Sequence, residues 1–255
     1  MPTKKPRFPR RGRPRGLNEK ARLNRRQELI EAAIAVISLH GRAGTTVTRV
    51  AKRAEISQGL MNFHFSSIDA LLLATFEHLA KEFHQTWTYR VHASDRMPGG
   101  TAPWQRLEAM IEAYFDDRVF TSEKLAAWFT FWVDADLRDK FRSASVKVER
   151  RYHRDIENEI AHLVKDWSSL RDVVGAGAAV AEAEQRAAEA RAQKVAARIT
   201  GALSAMVDGF WLQALLYPKT FKAKNAVKTC LAFLQSAARE ADKDQSDTAA
   251  VQPKP

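Results

Sequence analysis

Apolar side chains recur at three- and four-residue steps along most of this chain, which is the spacing of helices that bury one face. Leu29, Ile30, Ala33, Ile34 and Ile37 form the first stripe, which Gly41 ends. A short helix follows Thr46, with Val47, Val50, Ala51 and Ala54 on one face. After a break at Glu55-Ile56-Ser57, a third short helix runs to about Asn62, and a fourth from Ser67 carries Leu72, Phe76, Leu79, Phe83 and Trp87. Met97-Pro98-Gly99-Gly100 is a loop. Helical patterns then cover residues 103–118, 122–137 and 139–166, with a break over 167–177. An Ala/Glu/Arg-rich stretch leads into residues 196–217, which are apolar nearly all round and end at Pro218. A last helix spans 223–240, followed by a polar tail, residues 241–255. No strand alternation stands out, so the spacing predicts an all-α fold.

Charge changes that picture at one end only. The chain has 255 residues and a net charge of +11. Residues 1–26 hold eleven basic side chains and one acid, Glu19, which leaves 30 basic and 29 acidic groups in the other 229 residues. A basic arm on a nearly neutral body points to a polyanion. Pro2, Pro6, Pro9, Pro14, Gly12 and Gly16 predict that residues 1–24 are disordered. No apolar stretch follows the basic residues, so the arm is not a secretory signal, and a mitochondrial presequence is the weaker competitor. Cys230 stands alone, which excludes an intrachain disulfide and fits a reducing, cytoplasmic setting. The most apolar run, 202–217, is interrupted by Ser204, Asp208 and Gln213, so no membrane span is expected.

Residues 46–65 carry the sharpest chemical signal. A short helix, a three-residue turn and a second short, slim helix make a helix-turn-helix, whose second element fits a major groove about 12 Å wide. Ser57 is a natural N-cap, and Gln58, Gly59 and Asn62 then face outward. Gln and Asn pair with adenine, and glycine permits close approach. A helical hairpin with a merely solvated face fits the same spacing.

The run from Arg26 to Leu71 resembles the N-terminal domain of the TetR family of bacterial repressors. Thr46, Val47, Val50, Ala51, Ala54, Ile56, Ser57, Gly59, His64, Phe65 and Leu71 carry the likeness. It implies a three-helix DNA-binding domain over 25–71 and a helical effector-binding and dimerisation domain over 72–240. It also marks Thr46, Thr48, Arg49, Ser57, Gln58, Gly59, Asn62, Phe63 and His64 as DNA-facing. Asn62 and Ile68 depart from the family's usual tyrosine and lysine, both phosphate contacts, and the basic arm is placed to substitute. Within that arm, Arg11–Arg15 (RGRPR) resembles an AT-hook core, in which Arg11, Arg13 and Arg15 would enter a narrow A·T minor groove. A solvated tail giving only non-specific attraction is the alternative.

The later half is similar to the BetI-type regulators of choline-to-betaine metabolism, through Phe115-Asp116-Asp117, residues 127–132, Arg150-Arg151-Tyr152 and residues 207–215. That resemblance implies a quaternary ammonium effector such as choline, held by aromatic faces. The candidates are Phe115, Trp128, Trp132, Tyr152 and Trp211, with Asp208 as counter-charge and Asp116, Asp117 and Asp134 as further carboxylates. It implies homodimerisation through residues 196–217 and 223–240 and a palindromic double-stranded operator.

Other classes are weighed on the same residues. No H-E-x-x-H, Walker A, G-x-S-x-G or cysteine-flanked zinc spacing occurs, and His153 with Glu157 reads as a surface pair, so neither catalysis nor a cofactor is expected. An architectural DNA binder driven by the arm, a TetR-family regulator of another small molecule, and a membrane- or RNA-associated helical protein are the rivals.

Overall fold

A computed structural model describes residues 15–98, 102–169 and 178–250, with side chains defined over fewer of them. Nine helices form among these residues: α1 (Arg15–Gly44), α2 (Val47–Arg53), α3 (Gln58–His64), α4 (Ile68–Asp95), α5 (Pro103–Tyr114), α6 (Ser122–Val133), α7 (Ala135–Ser169), α8 (Ala178–Leu216) and α9 (Ala223–Ala250). No strand occurs among the described residues. The chain divides into two compact units, residues 1–75 and 76–255, with the division inside α4.

In the first unit Leu29, Ala33, Ile34 and Ile37 of α1 are buried with Val50 and Ala51 of α2, Met61 of α3, and Phe65, Leu71 and Leu72. Gly41 holds φ 61 and ψ −171. Only glycine adopts that backbone readily, so the long stretch of α1 stops where the stripe predicts. The start differs from expectation. Helix begins at Arg15 rather than Arg25, because no proline follows Pro14 in this segment and Leu17, Glu19, Lys20, Ala21 and Arg22 favour helix. Thr46 caps α2 by accepting from the Arg49 N–H at 3.3 Å, and Ser57 caps α3 by accepting from the Leu60 N–H at 3.2 Å.

The turn between α2 and α3 carries strain at one residue. Glu55 has φ 55, a left-handed conformation that costs an L-residue roughly 1–2 kcal/mol. Glu55→Gly should therefore raise stability by about 1 kcal/mol, a rise in Tm of roughly 2–4 °C by calorimetry. An unchanged or lower Tm would show that Glu55 gains compensating contacts.

The second unit is a helical bundle in which α7 packs along α8 and both touch α6 and α9. Expected boundaries shift at two aspartates. Asp134 ends α6 and accepts the Leu137 N–H at 3.0 Å, so residues 122–137 are two elements and α7 begins at Ala135. Helix α5 stops at Tyr114 rather than 118, because Asp116 accepts the Arg118 N–H at 3.1 Å and turns the chain. Residues 167–169 continue α7, and 170–177 lie outside the described residues. Helix α9 continues to Ala250, past the expected end at 240, since residues 241–250 contain no proline or glycine. Within α8, Gln185–Leu216 is long and apolar enough to cross a membrane, which corrects the expectation that no such segment exists. Its mean hydropathy is carried by alanines as well as large residues, and Ala196, Leu203, Val207 and Trp211 are buried in the bundle.

Asp116 is 6% exposed and meets two arginines: Arg90 donates to Oδ2 at 2.7 Å, and Arg118 Nε donates to Oδ1 at 2.8 Å. Hydrogen bonds from Arg118, with Arg90 adding bonds and charge, hold this carboxyl far below the ordinary range despite its burial. Its carboxylate is thus already paired with two arginines inside the fold. A depressed folded pKa means the stabilisation is present above the unfolded carboxyl's range and is lost as pH falls below it. Asp116→Asn should cost about 2 kcal/mol in urea unfolding at pH 7, less than a fully buried pair because Arg118 is half exposed. The gap between wild type and variant should close as pH falls below about 4.

Candidate functional site

Helices α2 and α3 meet through the Ile56 N–H, which donates to the Ala51 carbonyl at 3.0 Å, and through buried Val50, Ala51 and Met61. Burying those three leaves Thr48, Arg49, Ser57, Gln58, Gly59, Asn62 and Phe63 exposed together with Thr46. Phe63 is 73% exposed, a large apolar ring that meets the His64 ring edge-on at 5.4 Å and otherwise faces outward. A Cβ built on Gly59 would meet only Ser57 Oγ at 3.9 Å, so nothing inside the protein requires glycine there. Gln58 Nε2 donates to Thr48 Oγ1 at 3.1 Å, and Arg49 Nη1 donates to the Gly44 carbonyl at 2.8 Å.

His64 sits at the other end of α3, half buried. Burial first, and then the charges of Arg22, Arg25 and Arg26, push its pKa below the usual value, which favours the neutral ring. Arg26 Nη1 donates to the His64 carbonyl at 3.1 Å, and its guanidinium lies over the Phe65 ring at 4.1 Å. The early turns of α1 thus bring positive charge beside α3, which has Asn62 where the resemblance expects a tyrosine, while Ile68, where it expects a lysine, opens α4. Arg11 and Arg13 lie outside the described residues. Arg15 opens α1 in a helix, not in the extended form an AT-hook core needs, and its side chain is not described.

In the second unit the aromatic residues form one connected ladder. Trp128 lies 5.6 Å from Trp132, and Trp132 stacks on Trp211 at 5.9 Å and 16°. Trp211 meets Tyr114 and Phe83, and Phe83 meets Tyr152 edge-on at 4.8 Å. Trp87 closes the ladder at 4.8 Å from Tyr152 and 5.6 Å from Tyr114. Phe115 joins through Phe120, 5.3 Å away. Five of the six expected effector residues therefore come together. The sixth, Asp208, is exposed on α8, while Val207 and Trp211 are buried.

A carboxylate that reaches the ladder is Asp155, one helical turn after Tyr152 on α7. Burial pushes its pKa up, and a hydrogen bond from Trp87 with nearby Arg151, Arg106 and Arg154 partly opposes that. The same burial raises Tyr152 to about 12, so its ring stays neutral. Trp87, Phe83 and Tyr114 read as core in the sequence, and only the three-residue step from Tyr152 to Asp155 hinted at the carboxylate. A cleft of about 260 Å³ between α8 and α9 is lined by Phe210, Gln213, Tyr217, Phe221, Lys222 and Asn225. Lys222 there disfavours a cation, whereas Asp155 favours one at the ladder. No group of three potential metal ligands occurs among the described residues.

Comparison with known proteins agrees with this division. Residues 29–75 match the family described as bacterial regulatory proteins, tetR family, and residues 103–239 match the family described as BetI-type transcriptional repressor, C-terminal. The HTH-type transcriptional regulator BetI of Paraburkholderia xenovorans is 29% identical over 205 residues, 80% of this chain and 89% of that protein. The regulator of the same name from Brucella suis biovar 1 is 32% identical over 156 residues, 61% of this chain and 76% of its own length. A transcriptional regulator from Saccharomonospora viridis, solved in complex with choline, shares the fold at TM-score 0.60 and 15% identity, covering 84% of this chain and 96% of its own. These relatives are regulators, not enzymes. The chain belongs to the TetR family of bacterial transcriptional regulators, and its C-terminal region to the BetI-type repressors.

Proposed function

We propose that this chain is a homodimeric cytoplasmic repressor that reads a palindromic operator and senses a quaternary ammonium compound of the choline type. The observation that carries the effector class is the aromatic ladder with Asp155 against Trp87 and Tyr152, since aromatic faces and a carboxylate together select a soft cation. The choline found in the Saccharomonospora viridis relative supports that class. Gln58 and Asn62 on α3 read base edges and Gly59 allows close approach, with Thr46, Thr48, Arg49, Ser57, Phe63 and His64 around them. The dimer forms through α8 and α9, where Leu212 and Leu216 of α8 and Tyr217 just after it remain exposed at 43%, 58% and 61%. The basic arm adds phosphate contacts, with Arg11 and Arg13 in the minor groove and Arg15, already helical, confined to the phosphate backbone.

Selection of duplexes from a randomised pool, followed by titration with choline, tests the whole assignment. A palindromic consensus whose affinity changes with choline is the result it requires. Binding without a consensus or a choline response would favour the architectural alternative.

A further inference from the structure

Gln58 is the first residue of α3, exposed and built on three rotatable bonds. A glutamine of that kind reads a base poorly unless its carboxamide is oriented beforehand, because a long, freely rotating side chain loses rotamer entropy when it is ordered. The structure supplies an orienting group from the neighbouring helix: Thr48 on α2, whose Oγ1 accepts from Gln58 Nε2 at 3.1 Å. Resting on the assignment of α3 as the DNA-reading helix, we infer that Thr48 is a positioning residue that sets the base preference of Gln58 without itself reading that base.

The chemistry follows from counting groups. The carboxamide has two N–H donors and one acceptor oxygen. Thr48 takes one N–H, so one N–H and Oε1 are left to face the groove. That couple matches adenine, which offers N7 as acceptor and its 6-amino group as donor. Guanine offers two acceptors, N7 and O6, and the remaining N–H satisfies only one while Oε1 opposes the other. With Thr48 in place the glutamine selects adenine. Without it the carboxamide turns freely, and both of its N–H groups become available to guanine. Thr48 and Gln58 lie on different helices, so the bond also holds the reading group in a fixed place relative to α2.

The test uses the full-length protein and the consensus duplex that the wild type selects from a randomised pool. A panel of duplexes carries each single base-pair change, and dissociation constants are measured at one fixed salt concentration. Thr48→Val removes the hydroxyl and keeps the shape. It should lower discrimination about tenfold at one base pair per half-site, the same one at which Gln58→Ala loses discrimination. Thr48→Ser keeps Oγ and should stay within about twofold of wild type across the panel. Circular dichroism melts establish that each variant is folded. A Thr48→Val protein that weakens equally on every duplex, leaves the panel unchanged, or loses discrimination at a base pair other than the one affected by Gln58→Ala overturns the role. A wild-type protein that selects no consensus overturns the reading beneath it as well.

Discussion

Replacing Gln58 and Asn62 together by alanine should weaken binding to the selected operator by about 2–6 kcal/mol, the sum of two base contacts at about 1–3 kcal/mol each. Both side chains are exposed, so the fold should be indifferent and Tm should stay within about 2 °C. Binding to random duplex should barely change, because that affinity comes from phosphate contacts made by basic side chains. The contrast between operator and random DNA is the informative quantity. Equal losses on both would assign Gln58 and Asn62 to the backbone instead. Gly59→Ala adds a control of opposite sign. With only Ser57 Oγ near the added Cβ, the variant should gain about 0.5–1 kcal/mol of helix stability while losing operator affinity.

The second large effect concerns the effector. Asp155→Asn should raise the dissociation constant for choline at least tenfold by calorimetry at pH 7, because a carboxylate beside a desolvated cation contributes more than about 1.4 kcal/mol. Burial favours the neutral form of Asp155, so the same substitution should not lower Tm. That separation distinguishes a ligand contact from a structural one. The pH profile follows with its sign. Choline needs the ionised carboxylate, so wild-type affinity should fall on acidification, beginning above the pH at which an exposed aspartate would respond. The variant should lack that response. Trp132→Leu keeps apolar bulk and removes a ring stacked on Trp211, and should cost choline up to about 2 kcal/mol while affecting its neutral carbon isostere much less.

The helical architecture was legible because its signal is repetitive. Leu29 to Ile37 and Leu72 to Trp87 each supply several turns of one apolar face, and the observed helices bury those faces. The caps Thr46 and Ser57 were legible for a related reason, since hydroxyl residues before a helix have one strong local use. Boundaries set by tertiary partners were not. Asp116 looks like any carboxylate near aromatics until Arg90, twenty-six residues earlier, is seen to hold it. Asp208 stands three residues before Trp211 on α8, and sequence proximity does not tell that the first is exposed and the second buried. Asp155 is not legible in the sequence because its partner Trp87 lies on another helix, and no local pattern links them. The arm shows the opposite error. Prolines and glycines up to Gly16 dominated the reading, while the helix formers from Leu17 onward extend α1 to Arg15.

The central claim is that one chain couples an aromatic cation site to a sequence-reading helix pair. Fluorescence anisotropy of the selected palindromic duplex, titrated with the purified protein at fixed salt, with and without saturating choline, addresses it most directly. The account predicts that choline shifts the operator dissociation constant at least fivefold, a coupling of about 1 kcal/mol or more, and that Asp155→Asn requires higher choline for the same shift. Identical operator titrations with and without choline, in a protein that calorimetry shows to bind choline, would contradict it.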